Sequence, residues 1–501
     1  MAESNELPSV PLFIDGQYRN ACNAATYDVY NPATIQVIEH AASATAQDWY
    51  DGSFPRTSSF IDAIPSEDAV KAAQKAFNTW KSTTAGSKAA IFRKAAELLS
   101  LDRYRDRIVQ TVIEETRTSY PWAKIANVDA SAGVLLKHCD FVYSIKGEII
   151  SSDSGRDCFV QKLPMGVIFV ASPWNVPLGL ALISILPPIA AGNTVVLKTS
   201  EYCPASQLIV GELLKEAGLP DGVLNIIHIS RDDSPVRVAE IIAHSAVRKI
   251  ACTAEFTGSD RVGKLLALEA AKHLKPCVFE LGGKAPSIVL NDANIENAAR
   301  DIAHGAYVNS GQICTSTERV IVQREVSQKL IGTLKACATK MKAEKDPLKN
   351  RNSILGCLIS PDAVKTVISA IEEAVSEGAE LILGDMKVDG TCMQPHIVLG
   401  AKPGSRLWER EICTIAVVDT VDESVDLANA SAYSLTSSLW TENMALAWSL
   451  ASRIRAGKVI INGPTNTPES RYPQHGWGGA SGYGTFTVES FLNTQLVSFR
   501  K

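Results

Sequence analysis

The stretch NTVVLKTSEYCPASQLIVGELLKEAGLPDGVLNIIHI, residues 193–229, decides the fold class. It opens on NTVVL, an apolar run of strand length at 193–197. At 204–217 the apolar positions recur at helical spacing behind Pro204, and GVLNIIHI at 222–229 is a strand again. The rhythm continues with a helix over 235–244, a strand over 247–252, a helix over 261–273 and a strand over 277–281. Strands alternating with helices predict an α/β fold of the doubly wound class, a parallel sheet covered on both faces. Such sheets bind ligands beyond the carboxyl ends of their strands, so the residues ending these runs are where chemistry is sought.

Downstream, a second α/β series is predicted, with strands at 319–322, 379–383, 437–440 and 458–462 and helices at 326–342, 361–377, 424–429 and 444–454. An edge strand is expected at 491–499. Upstream, 11–37 reads as short strands with a hairpin signal at Asp15-Gly16, and helices are expected over 68–81, 88–101, 103–116 and 127–142. The polar, Pro/Ser-rich segment 47–67 reads as a loop insertion. Residues 147–170 alternate as strands around a turn at 152–156, a hairpin suited to pairing with another subunit. The uncharged run 166–192 is interrupted by Pro173, Pro177, Pro187 and Pro188, which favours a strand, a loop and a buried helix over a membrane span.

Composition narrows the function classes. A chain of 501 residues exceeds one hydrophobic core and fits two or three domains. A net charge of -5, with no basic run, gives no footprint for nucleic acid or a membrane surface. The 11 cysteines include no C-x-x-C pair and no His at metal-ligand spacing, so no metal is expected and free thiols in a reducing, cytoplasmic setting are. The first residues, MAESNELPSV, carry no secretory pattern, and VSFRK is no peroxisomal address.

Five stretches carry candidate chemistry. In Pro173-Trp174-Asn175-Val176-Pro177 two prolines fix a loop around an amide that can donate to an oxyanion, or simply cap the loop. Lys198 and Glu201 end the NTVVL strand, placed to meet a nucleotide's phosphate and ribose or to open the next helix. GSDRVGK at 258–264 is nearly a P-loop, but Leu265 stands where the magnesium-binding hydroxyl belongs, which argues against an NTPase; a glycine turn opening a helix still suits a pyrophosphate. Glu280 precedes the double glycine of ELGGK and can act as a base or as a paired structural carboxylate. Cys314 lies in the Gly/Ser/Thr-rich stretch YVNSGQICTSTER, 307–319, where a thiol can be presented for chemistry or, as most lone cysteines are, packed as a small buried hydrophobe. A thiol, a base and an amide donor together are the parts of acyl chemistry.

Read in order, PWNVP, KTSE, FTGS with Val262-Gly263, ELGGK, GQIC, INGPT and GGASGYG resemble the NAD(P)-dependent aldehyde dehydrogenases along nearly the whole chain. ETRTSYPWAKIANVDASAG and GQICTSTER are most similar to the salicylaldehyde-dehydrogenase-like branch, which favours aromatic aldehydes. The resemblance implies a Rossmann-type cofactor domain of 1–145 and 165–281, an α/β catalytic domain of 282–484, and an oligomerisation element of 146–164 and 485–501. It implies Cys314 as nucleophile, Asn175 with the Cys314 N–H as oxyanion donors, and Glu280 as the base that activates water. Cofactor contacts fall to Trp174, Lys198, Glu201, Gly258, Ser259, Val262 and Glu411, with Glu201 suiting NAD and NADP still open. Ile313, Thr315, Val176 and Ile183 would line the aldehyde pocket, and a homodimer or homotetramer is implied.

Three segments depart from the family pattern. RKIACTAEFTGS is longer before the cofactor turn, Glu411-Ile412-Cys413-Thr414 lacks a Phe-Gly-Pro, and His475-Gly476-Trp477-Gly478-Gly479 replaces P-F-G-G. They leave a second reading, a catalytically weakened homologue with a binding role.

Overall fold

The computed structural model describes residues 7–48, 69–151, 153, 155–253, 259–409, 412–467 and 475–500. Most of the 47–67 insertion, Gly258 and Glu411 lie outside them. The first 7-stranded sheet runs, in spatial order, Cys277–Glu280, Val247–Thr253, Val167–Ala171, Thr194–Lys198, Leu224–Ile227, Leu12–Ile14 and Gln17–Arg19. Its first five strands are parallel, and Leu12–Ile14 pairs antiparallel with both of its neighbours. Alternate side chains of one strand enter different cores: Ile168 and Val170 pack with the helices Ala85–Leu99 and Pro177–Ala191, whereas Val167 and Phe169 pack with Ala69–Trp80 and Ser234–Ala243. Burial on both faces is why these strands are nearly continuous apolar runs.

The chain adds strands outward from Val167–Ala171 on one side, then returns to add Val247–Thr253 on the other. This reversal leaves a crevice over the carboxyl ends of those two strands, the position at which open α/β sheets bind ligands. The far edge of Cys277–Glu280 is covered by the glycine-rich C-terminal segment, through Leu281 N–H to Ser481 O at 3.2 Å and Phe279 N–H to Tyr483 O at 2.9 Å. Gly482, at φ +78°, allows this approach, since a Cβ there would overlap Phe279 O.

The second 7-stranded sheet runs Glu380–Leu383, Ile397–Leu399, Thr414–Val418, Thr317–Gln323, Ala285–Val289, Thr436–Trp440 and Lys458–Ile461, parallel except for the first. Ala285–Val289, Ile397–Leu399 and Thr414–Val418 have no counterpart in the sequence reading. A 3-stranded ribbon joins Leu492–Arg500, Arg156–Pro164 and Glu148–Ile150 antiparallel, so the expected hairpin and edge strand pair with each other.

One expectation is corrected: Pro187 and Pro188 do not break the buried helix, which continues as Pro177–Ala191 and closes at Gly192, φ +97°. The prolines lie in its last two turns, where neighbouring side chains take up carbonyls. Trp80 Nε1 donates to Ile189 O at 3.0 Å and Lys88 Nζ to Ala190 O at 3.2 Å, and burial lowers the Lys88 ammonium to a pKa of about 8. Among the described residues no helix is long and apolar enough to cross a membrane.

Candidate active site

Helix Ile295–Tyr307, capped by Asn294, delivers the chain to the loop that carries Cys314. Three residues then sit in the left-handed region in succession: Asn309 at φ +52°, Ser310 at +58° and Gly311 at +77°. For the two non-glycine residues this conformation costs about 1–2 kcal/mol each, so surrounding bonds must hold it. Asn309 N–H donates to Ile354 O at 3.3 Å, and Ser310 Oγ donates to Gly356 O at 2.9 Å. The buried Gln312 side chain donates to Asn309 O at 3.2 Å and Cys357 O at 3.1 Å, while its Oε1 accepts from Ile359 N–H at 2.9 Å. The segment 354–359 is thus a bed beneath the loop.

Cys314 and Thr315 occupy the centre of the turn that follows, closed by Ser316 N–H to Ile313 O at 2.8 Å. Thr465 Oγ1 donates to Thr315 O at 2.6 Å, fixing the turn from the other side. Ile313, Thr315 and Ser316 are buried, whereas Cys314 is only partly so. The thiol stands at the start of Thr317–Gln323, the middle strand of the second sheet.

Glu280 is the last residue of the edge strand of the first sheet and is buried. Its turn reaches Cys314 through Gly283, where a Cβ would overlap Cys314 O. The glycine is required by proximity rather than by a left-handed φ. Gly283→Ala is therefore expected to force the two backbones apart, lowering turnover at least about tenfold and stability by roughly 1–3 kcal/mol. Steady-state rates and a thermal melt check this; a variant unchanged in both would show that the contact does not matter.

Just past this turn lies a buried ionic group absent from the sequence reading. Lys284 Nζ pairs with Glu318 Oε2 at 2.7 Å, and Arg319 Nε donates to Lys284 O at 2.9 Å. Arg319 also donates to Leu427 O at 3.2 Å and Ala428 O at 3.0 Å, and burial lowers its pKa to about 10. Desolvation raises the Glu318 carboxyl against the pull of Lys284. The charged residues of GGK and TER, set directly against the apolar runs of strands Ala285–Val289 and Thr317–Gln323, were the available signal.

Asn175 follows strand Val167–Ala171 and is buried. Its loop is held by Gln207 Nε2, which donates to Pro173 O at 2.7 Å and Pro177 O at 3.3 Å. Asn175 Nδ2 donates to Gln312 O at 3.3 Å, and Asn309 Nδ2 approaches Asn175 O at 3.5 Å. The amide thus meets this loop two residues before Cys314.

The residues expected to hold a cofactor are placed unevenly. Lys198 ends strand Thr194–Lys198 and is buried, its Nζ donating to Thr199 O at 3.0 Å; Glu201 is half-buried. Trp174 packs into a core cluster with Leu358 and Ile359, edge-to-face with Tyr202 at 6.3 Å between ring centroids. Ser259 opens helix Ser259–Lys272, and Val262 is exposed on it. A Cβ on Gly263 would meet Leu281 Cδ1 at 2.5 Å, so this glycine lets helix and sheet pack closely. Lys264 pairs with Asp260 at 3.0 Å on the surface, as a solvated helix pair rather than a phosphate-cradling lysine.

A model of the aldehyde dehydrogenase family matches residues 18–497. The chain belongs to that family. This aldehyde dehydrogenase is 35% identical over 502 residues to a vanillin dehydrogenase of Pseudomonas fluorescens, with 98% of each chain covered. Its fold superposes on the salicylaldehyde dehydrogenase from Pseudomonas putida G7 complexed with salicylaldehyde with a TM-score of 0.91, at 29% identity, covering 99% of this chain and 98% of that one. An NAD-dependent aldehyde dehydrogenase from Sinorhizobium meliloti is similar at a TM-score of 0.88 and 28% identity, covering 99% and 96%.

Proposed function

We propose that this enzyme oxidises an aromatic or otherwise hydrophobic aldehyde to the carboxylic acid with NAD+, through a thioester on Cys314. The observation that carries the assignment is the convergence of three separate elements on one loop. Asn175 bonds to Gln312 O, the turn after Glu280 abuts Cys314 O, and Cys314 stands partly exposed between them. Aromatic substrates are favoured by the likeness to vanillin and salicylaldehyde dehydrogenases, and by the apolar Val176 before helix Pro177–Ala191 and Ile183 within it.

Cys314 Sγ adds to the aldehyde carbon, and the resulting oxyanion accepts from the Cys314 N–H and from Asn175 Nδ2. An amide nitrogen carries two N–H groups; Gln312 O takes one and orients the other toward the site. Glu280 then takes a proton from the water that hydrolyses the thioester.

On this reading a dinucleotide lies in the crevice at the sheet's reversal, with Lys198 and Glu201 at the adenosine ribose and Ser259 and Val262 at the pyrophosphate; the strand order and the helix opening at Ser259 support it. Bound there, NAD+ supplies the hydride acceptor of the oxidation. Glu201 disfavours a 2'-phosphate by like-charge repulsion, so NAD+ is the expected cofactor, with NADP+ the weaker one. On this reading residues 1–145 and 165–281 hold the cofactor, 282–484 carry the nucleophile, and 146–164 with 485–501 oligomerise. The ribbon leaves Ile149, Leu496 and Phe499 exposed, which suits burial in a homodimer or homotetramer. None of the 11 cysteines is in a disulfide, in keeping with the cytoplasm.

The test follows absorbance of reduced nicotinamide with benzaldehydes and aliphatic aldehydes, using NAD+ or NADP+. Turnover is expected to be fastest with NAD+ and an aromatic aldehyde. A folded protein that binds NAD+ but turns over none of them would instead favour the weakened homologue with a binding role.

A further inference from the structure

Two cysteines that the proposed reaction does not use, Cys357 and Cys392, lie together under the nucleophile loop. Both are free, and with Ala33 they form a small buried cluster of their own. Their chain segments run side by side, since Leu358 N–H donates to Thr391 O at 2.9 Å, and this sets the two thiols next to each other in the cluster. The backbones on both sides are anchored. Cys357 N–H donates to Arg117 O at 3.0 Å, Thr391 Oγ1 donates to Pro32 O at 2.8 Å, and Cys392–Met393 pairs antiparallel with Val388–Asp389.

The adjoining Cys392 thiol favours the thiolate at Cys357, with help from Arg117 and Lys345 against the effect of burial, and the Cys392 thiol is raised in turn. Cys357 also belongs to the bed of the loop, because its carbonyl accepts from Gln312 Nε2 at 3.1 Å.

We propose that Cys357 and Cys392 are a peroxide-responsive dithiol that closes reversibly to a disulfide and loosens the bed of the nucleophile loop. The Cys357 thiolate attacks one oxygen of hydrogen peroxide; an S–O bond forms, the O–O bond breaks, and the departing oxygen leaves as water after protonation. The Cys392 thiol, giving up its proton, attacks the sulfur of that sulfenic acid; the S–S bond forms and a second water departs. The two thiols lose two electrons and two protons in all, and the peroxide is reduced to two waters. An oxidant the size of water suits thiols at 0% and 6% exposure. Closure of the S–S bond draws Cys357 toward Cys392. It thereby strains the bonds that 354–359 makes to Asn309, Ser310 and Gln312.

Disulfide formation is independent of the catalytic reading of Cys314, so the test uses full-length Cys314→Ala, in which the exposed thiol cannot compete. After peroxide, denaturation and alkylation, peptide mass analysis is expected to show Cys357 cross-linked to Cys392, about 2 Da lighter than the dithiol. Dithiothreitol should reverse the link, and Cys392→Ser in the same background should lose it. Recovery of both residues as alkylated thiols, or linkage of either to another cysteine, overturns the pair. Amide exchange of the peptide spanning 309–316 is expected to be at least about tenfold faster in the oxidised form. Unchanged exchange overturns the coupling to the loop.

Discussion

Cys314→Ala is expected to lower aldehyde oxidation by at least about 10⁴-fold, on the order of 5.5 kcal/mol of transition-state stabilisation, while NAD+ affinity stays within a factor of two or so of wild type. The sulfur is the only atom removed. The turn that presents it is closed by backbone atoms of Ile313 and Ser316, and Thr465 secures it through Thr315 O, so alanine leaves the loop in place. Without the thiol no covalent adduct forms, and Asn175 and Glu280 have no acyl group to act on. Reduced-nicotinamide absorbance measures the loss, and calorimetric titration with NAD+ shows that the crevice survives. A variant that kept wild-type rates would remove Cys314 from the mechanism and return the search to another thiol.

The first sheet was legible because its strands are buried on both faces. Runs such as NTVVL and GVLNIIHI contain almost nothing but core residues, and the helices between them show one apolar stripe each. The second sheet was less so. Ala285–Val289 carries Pro286 in an interior strand, normally a mark against a strand, and the fold accepts it at a register shift between Ala285 and Pro286. Thr414–Val418 directly follows Ile412-Cys413, where the sequence was read for a family motif rather than for a strand. Cys314, Glu280 and Asn175 could be picked out because each follows or precedes a recognisable strand or turn. What holds them could not. The left-handed run at Asn309, Ser310 and Gly311, the Gln312 bonds to Cys357 and Ile359, and the Lys284–Glu318 pair all depend on residues distant in sequence. Trp174 shows the converse: its place in the crevice loop was readable, but its packing against Leu358 and Ile359 was not.

Glu280→Gln separates the two half-reactions, and its expected signature is kinetic. Glutamine keeps the volume and one acceptor oxygen in a buried position, so the strand end at Thr253 opposite Glu280 and the Gly283 contact with Cys314 are preserved. The lost function is proton acceptance. Attack by Cys314 does not need that carboxylate if the thiolate is already present, so one equivalent of reduced nicotinamide should appear at close to the wild-type rate. Hydrolysis of the thioester does need it, and the following steady state should fall roughly 10²–10⁴-fold. Rapid-mixing absorbance resolves the burst from the slow phase, and hydroxylamine, a nucleophile that attacks a thioester without that base, should restore turnover. Were the burst and the steady state to slow by the same factor, Glu280 would act before the thioester forms, by deprotonating Cys314. In that case hydroxylamine would restore nothing, because no acyl-enzyme would accumulate for it to attack.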